Sequence, residues 1–438
     1  MKEFMKGPSK EKSLTFPENF FWGAATSSHQ VEGGNQWNDW WEWERKGIVK
    51  IPSLSACEHY ERFESDFDLA KSLGHNSHRF SIEWSRLEPE ENRWNEKEFD
   101  HYRSVIDALV KRNLEPIVTL HHFTIPEWLA KKGGLGNPKF VQYFGDYTKK
   151  IIEAYGESVT YWITINEPMV LLFKSYLVGE WPPGLTSIRR ALKALKHLLL
   201  AHIRSYEIIH EYARFNPKIK KPCVGLAQHM AVFSPCSPGS WKDRLSTWLR
   251  HMFSNHLILK ALRYGFLFFP GVYCEELPAR RTFDFIGVNY YTRHFVHFTN
   301  FEFPGVLGDE CTLEHHHSAG PRNDMGWEIY PKGLFDVLLE LRQYQTPVFI
   351  LENGICTGND ETRKEFIRRH LLEVARAIEK HVPVIGYLYW SLMDNFEWEH
   401  GFGPRFGLIN VDYKTQERHV RESAKYLSEI CKTNSIPF

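Results

Sequence analysis

Two short stretches of this 438-residue chain place a glutamate where an apolar run stops. One is TINEP, Thr164 to Pro168, which follows the run VTYWITI and carries Asn166 and Glu167. The other is ILENG, Ile350 to Gly354, which follows TPVFIL and carries Glu352 and Asn353. Runs of this length and composition read as buried parallel strands. In a barrel of alternating strands and helices, side chains at the C-terminal ends of the strands converge on one mouth. Two carboxylates facing each other across such a mouth are what hydrolysis of a sugar acetal requires. Taken singly, a Glu-Pro after a strand is a loop start and an Asn-Gly is a turn signal. It is the recurrence of the glutamate at two strand ends that favours chemistry.

The elements that must position these groups alternate along the chain. Apolar runs mark strands at Phe20–Thr26, Ser77–Ile82, Glu115–His122, the run ending at Ile165, Cys223–His229, Phe283–Tyr291, Pro347–Leu351 and Val384–Leu392. Between them, apolar residues recur at spacings of three and four, as one face of a helix requires. Examples are Ala56, Tyr60, Phe63, Phe67 and Ala70, with Gly74 as the stop, and Phe140, Phe144, Tyr147, Ile151 and Ala154. Further helices fall at about 188–212, within 241–264, at 334–344 and at about 417–431. Strands joined by helices run parallel and connect right-handedly, so eight such pairs predict a single (β/α)8 TIM barrel over residues 1–438, of class α/β. A barrel of this kind takes about 250 residues, so roughly 190 remain for loops shaping the mouth. Gln30 is expected in a loop, WNDWWEWE (Trp37–Glu44) in the wall above the first strand, and Thr292–Gly326 in an irregular excursion over the active face. Residues 1–15 read as a flexible tail.

Composition narrows the partners. Lysine plus arginine and aspartate plus glutamate both total 54, so no net field draws the chain to nucleic acid. The 15 tryptophans suit either large cores or the apolar faces of sugar rings. The charged start has no apolar signal region. Seven widely spaced cysteines show no CxxC or metal spacing, and reduced thiols in the cytoplasm are the default. No apolar run spans a bilayer, although Leu262–Val272 leaves contact with a membrane surface open. His121 and His122, adjacent on a strand, point to opposite faces and do not suit one ion; His315–His317 fall in an irregular loop. No metal or cofactor is expected, and oligomeric state is not legible.

With strands placed, FFWGAATSSHQVEGG, RFSIEWSRL, TLHHF, TINEP, GVNYY, ILENG, YWSLMDNFEW and RFGLINVD resemble, in order and over nearly the whole chain, a family 1 glycoside hydrolase of the β-glucosidase and β-glycosidase type, in its shorter thermophile form. The resemblance implies that Glu167 is general acid and base and Glu352 the nucleophile. It implies that Asn166 bonds the sugar 2-hydroxyl, that Gln30, His122, Glu397 and Trp398 hold the 3-, 4- and 6-hydroxyls, and that Trp390 is the platform beneath the ring. Arg79 and Tyr291 match partners of the nucleophile, with Asn289 nearby. Three positions depart from the pattern: Leu351 stands where the family usually has Thr, Phe123 where it has Trp, and TIPEW follows where it has Asp-Leu-Pro.

These roles make physical demands. Glu352 has to be ionised, which a neighbouring cation and phenol favour; Glu167 has to be protonated, which burial and a negative neighbour favour. A carboxyl separation of about 5 Å gives retention and about 6.5 Å or more gives inversion; retention is implied here by the family alone. A carboxylate at Glu397 disfavours a 6-phosphorylated sugar. The expected function is a retaining exo-β-glycosidase acting on β-glucosides and related β-glycosides with sugar, alkyl or aryl aglycones. The alternatives are a non-catalytic carbohydrate-binding relative and a transglycosylase using the same intermediate.

Overall fold

The computed structural model describes residues 14–269, 273–311 and 320–437. Most of the expected N-terminal tail, the end of the apolar stretch at 262–272, and His315–His317 lie outside the described residues.

Eight parallel strands close on themselves: β1 (Phe21–Ala25), β2 (Ser77–Ser81), β3 (Glu115–His121), β4 (Tyr161–Asn166), β5 (Cys223–Pro235), β6 (Ile286–His297), β7 (Val348–Asn353) and β8 (Val384–Trp390). Each pairs with its successor in sequence and β8 pairs back to β1. This is the predicted (β/α)8 TIM barrel. Inside it, Ile117, Ile163, Ala227, Phe285, Phe349, Leu351 and Leu388 form a plug with Phe21 and Tyr161 packed against it. Phe21 stacks on Phe349 at 5.5 Å between ring centroids. Leu351, the first departure from the family pattern, is therefore part of this apolar plug.

The helices form where their apolar stripes require. Phe140–Tyr155 buries Phe140, Phe144, Tyr147 and Ile151, and His59–Ser72 ends before Gly74, whose φ of +76° suits glycine. Asp360–Glu379 is capped by Asn359, whose side chain accepts from the Thr362 amide, with acidic residues in its first turn.

Four expectations need correction. Thr292 does not begin an irregular excursion: β6 continues to His297, paired with an equally overlong β5 through Pro235 opposite Val296. The polar Thr292, Arg293 and His294 hid this strand because the ribbon stands above the barrel, where one face is no longer buried. The stretch 241–264 is two helices, Trp241–His251 and Leu257–Tyr264, joined by a π-turn at Met252–His256. The closing helix is Glu422–Thr433, because Arg418–Val420 is occupied in an antiparallel pair with Ile409–Val411. Gln30 lies in a helical turn, Ser28–Val31, rather than in open loop. The tryptophan-rich segment is a helix, Asp39–Arg45, capped by Asn38 and burying Trp40 in the wall of the mouth. Phe266–Phe269 pairs antiparallel with Tyr273–Glu276, and Phe266 and Phe268 are exposed. No helix among the described residues is long and apolar enough to cross a membrane.

The loop after β8 is held by a buried charge. Asp394 accepts from Arg421 at 2.8 and 3.0 Å, from Arg405 at 3.3 Å and from the Gly407 amide at 2.9 Å. It thereby fastens the segment carrying Glu397 and Trp398 to the last helix. Replacing Asp394 with Ala leaves these cations uncompensated and should cost about 3 kcal/mol. Denaturant unfolding measures this, and a loss below about 1 kcal/mol would show that the pair is not a structural anchor.

Candidate active site

The predicted residues lie on or after seven of the eight strands, and β5 accepts from the Glu167 backbone amide at its Ala227 carbonyl, 2.8 Å. β4 ends at Asn166, and Glu167 then takes a left-handed conformation, φ +42°, that turns the chain into the helix Pro168–Leu172. Proline suits the first helical position because its missing N–H has no partner there in any case. β7 ends with Glu352 and Asn353. Gly354 follows because a Cβ there would lie 1.9 Å from the Trp390 carbonyl oxygen, so the crossing of these two segments admits no side chain. Asn353 locks the end of β7 sideways, donating to the Tyr290 carbonyl and accepting from the Tyr387 hydroxyl.

Arg79, from β2, is completely buried and has a partner at each nitrogen. Its Nε donates to Thr119 Oγ1 at 3.0 Å, Nη1 to Glu352 Oε1 at 2.6 Å, and Nη2 to Asn166 Oδ1 at 2.7 Å. The Tyr291 hydroxyl donates to the other oxygen of Glu352 at 2.6 Å. The Asn289 amide donates to Glu167 Oε1 at 2.7 Å and to Asn166 Oδ1 at 3.2 Å. It also stabilises the charge on Glu352, so one amide serves both carboxylates.

The two glutamates are alike in burial and unlike in company. Burial raises both, and Arg79 and Tyr291 pull Glu352 back towards its ionised form. Glu167 receives only the neutral Asn289 amide and is pushed up to about 8, first by burial and then by the negative charge of Glu352. The first proton to leave the pair is therefore that of Glu352.

The remaining predicted residues face this pair. His122 lies 6.0 Å from Trp390 and 6.3 Å from Trp398 between ring centroids, its plane within 16° of both, and its Nε2 lies 3.2 Å from the Asn166 amide nitrogen. Trp390 Nε1 donates to Glu397 Oε1 at 3.3 Å. Burial raises Glu397 to about 8, opposed by Trp390. Gln30 Nε2 donates to Asn395 Oδ1 at 3.1 Å and the Phe396 carbonyl at 2.8 Å. His122 Nδ1 and Asn289 Oδ1 are buried without a protein partner. Such atoms normally find one, and the hydroxyls of a bound ligand can supply it. His121 turns away against Phe144, as strand alternation requires, so the two histidines do not converge on one ion.

Phe123, the second departure, touches Trp398 and Trp181 in an aromatic wall that includes Trp40. Phe123 also borders a cavity of about 640 Å³, lined by Asp39, Glu127 and Arg190 among others but by neither Glu167 nor Glu352. Size alone thus does not mark the chemistry.

Three features escaped sequence reasoning. Glu399 accepts from Lys174 and from the Trp181 indole at 2.7 Å, bracing the Trp398 loop against the segment after β4. Asn395 orients Gln30, and its signal was its place between the Asp394 anchor and Glu397. Trp327 and Phe406 pack around Tyr291; Phe406 stands in the motif RFGLINVD, whereas Trp327 comes from a stretch with no period to reveal it.

A closed barrel whose mouth holds a pair of buried carboxyls in unlike surroundings, with further polar groups and indoles beside them, defines the class: an enzyme hydrolysing O-glycosyl bonds. Comparison with known proteins agrees. The profile of Glycosyl hydrolase family 1 matches residues 12–436. A β-glycosidase from Pyrococcus horikoshii superposes with a TM-score of 0.91 at 42% identity, covering 98% of this chain and 97% of its own. A β-glucosidase from Thermotoga maritima in complex with glucoimidazole gives 0.87 at 31% identity, covering 97% and 100%. A 6-phospho-β-galactosidase of Staphylococcus aureus is 30% identical over 96% of this chain and 99% of its own. The chain belongs to glycosyl hydrolase family 1.

The inequality of the two carboxyls is testable in the resting protein. In the Glu352→Gln variant burial still raises Glu167 but the added push from the Glu352 charge is gone, so the Glu167 pKa should fall below about 8 while staying above the ordinary carboxylate range. Carbon-detected NMR titration of the carboxyl groups measures this, and an unchanged value would show that the two do not sense each other.

Proposed function

We propose that this chain is a retaining exo-β-glycosidase hydrolysing terminal β-glucosides and related β-glycosides. The observation that carries this reading is the asymmetric solvation of the pair: Glu352 accepts from a buried guanidinium and a phenol, Glu167 from one amide. In the first step the Glu352 carboxylate bonds to the anomeric carbon as the glycosidic C–O bond breaks, and Glu167 gives its proton to the departing oxygen. Esterification removes the charge on Glu352, and the Glu167 pKa drops. In the second step Glu167 takes a proton from water as that water attacks the anomeric carbon, and the ester bond breaks to return Glu352 as carboxylate.

Asn166 is assigned the 2-hydroxyl, Gln30, His122, Glu397 and Trp398 the remaining hydroxyls, and Trp390 the ring face, while Arg79, Tyr291 and Asn289 position the pair. The surroundings of Glu397 support an unphosphorylated sugar. The largest influences on it are burial, the Trp390 indole, the negative Glu352 and Glu399, and Gln30, none of them a cation, which is a poor setting for a 6-phosphate. In this respect we infer a difference from the Staphylococcus relative. One folded unit carries the whole activity, and the use of cysteine favours a reducing cytoplasm: Cys57 is buried, its thiol donating to the Asp394 carbonyl.

The Glu352→Gly variant should lose about 10⁴-fold or more of its kcat on an aryl β-glucoside. Added azide should restore part of that rate and yield the α-glycosyl azide. An undiminished rate would remove Glu352 from the mechanism, and a β-azide would reassign its role. The pH profile of kcat/KM should fall on the alkaline side as Glu167 loses its proton near pH 8 and on the acid side as Glu352 gains one. Glu167→Gln should abolish the alkaline limb for a substrate whose leaving group needs no proton, and persistence of that limb would assign it to another group.

A further inference from the structure

We propose that His251, His256 and Glu340 form a binding site for a first-row divalent transition metal that ties the helices following β5 and β6 together on the outside of the barrel.

The case begins with the backbone. Residues i and i+5 of an α-helix point about 140° apart, so a His-x4-His spacing does not ordinarily share a face. Here the segment Met252–His256 is π-helical, and a turn with i to i+5 hydrogen bonding brings residues at that spacing into line. The His251 and His256 rings accordingly lie 5.0 Å apart. Glu340, on the helix Pro331–Leu341, meets them from the side: its Oε2 is 3.4 Å from Nε2 of His251 and 3.3 Å from Nε2 of His256. All three ligand atoms fall within 4.8 Å of one another.

These separations are long for charge-assisted hydrogen bonds, which settle at about 2.7–2.9 Å. They match the edge of a tetrahedron around a metal with bonds of about 2.0–2.1 Å, an edge of about 3.4 Å. The surroundings are those of a ligand set. His256 is buried and its Nδ1 lies 3.1 Å from the Tyr344 hydroxyl, so with Nδ1–H donating there, Nε2 carries the lone pair. His251 makes a weaker contact, 3.3 Å from the Asn255 amide nitrogen, which already donates to the Ala231 carbonyl at 2.8 Å. Ligation gives up that contact. His251 and Glu340 are partly exposed, which leaves a fourth position and an approach for water and metal. Two imidazoles and one carboxylate suit Zn²⁺, Co²⁺, Ni²⁺ or Cu²⁺; Ca²⁺ and Mg²⁺ prefer oxygen donors throughout.

The test uses the full chain stripped with a chelator and titrated with Zn²⁺ against a chromophoric competitor, with Co²⁺ as the spectroscopic probe. Wild type should bind one saturable equivalent, show the visible absorption of tetrahedral Co²⁺ and gain thermal stability on adding Zn²⁺. His256→Ala and His251→Ala should each weaken that equivalent at least about tenfold and abolish the stabilisation, while glycosidase activity without metal stays at the wild-type level. Should His256→Ala fail to fold, the partly exposed His251→Ala variant, with circular dichroism to confirm its fold, gives the same reading. A variant with His315, His316 and His317 all changed to Ala should bind like wild type. No saturable equivalent in wild type, binding that survives both histidine variants, or loss of binding in the His315–His317 variant instead would overturn the proposal.

Discussion

A guanidinium with no exposed surface sits at the centre of this barrel. Taking a cation wholly out of water costs several kcal/mol unless its charge and hydrogen-bonding capacity are met. Arg79 meets that requirement with Glu352, Asn166 and Thr119, drawn from three other strands. Removing any of these partners would leave the others poorly solvated, and so the rim of β2, β3, β4 and β7 is set by one side chain. The apolar plug beneath it excludes water and keeps the local dielectric low, which strengthens each of these contacts.

From that arrangement the unlikeness of the two glutamates follows. The cation and the Tyr291 phenol favour charge on Glu352; the charge on Glu352 disfavours charge on Glu167, which has no cation bonded to it. One buried positive group thereby gives two identical side chains opposite protonation, as the proposed acid and nucleophile require. The side of the mouth that carries His122 and Glu397 is held by different contacts. The His122 ring runs nearly parallel to the Trp390 and Trp398 indoles, and the Glu397–Trp398 loop is fastened at one side by Asp394 to Arg405 and Arg421 and at the other by Glu399 to Lys174 and Trp181.

The barrel was legible because its strands are short apolar runs and its helices carry apolar residues three and four apart. Legibility failed where those periods stop. The upper halves of β5 and β6 are solvated on one face and carry Thr292, Arg293 and His294, so only their partnership identifies them as strand. The π-turn at Met252–His256 interrupts a helix without any glycine or proline to announce it. Glu167 and Glu352 could be singled out by their place at strand ends, and Arg79, Tyr291 and Asn289 through the motifs around them. Glu399 and Trp327 act through residues distant in sequence, and no local pattern marks such contacts.

The most direct measurement is mass spectrometry of the protein after turnover with a 2-deoxy-2-fluoro-β-glucoside bearing a good leaving group, which slows release of any covalent intermediate. The expected result is one glycosyl group on the peptide containing Ile350–Gly354, attached to Glu352. A label on Glu167, or turnover with no trapped ester under conditions that inactivate the enzyme, would contradict the assignment of the ionised, Arg79-bound carboxylate as nucleophile.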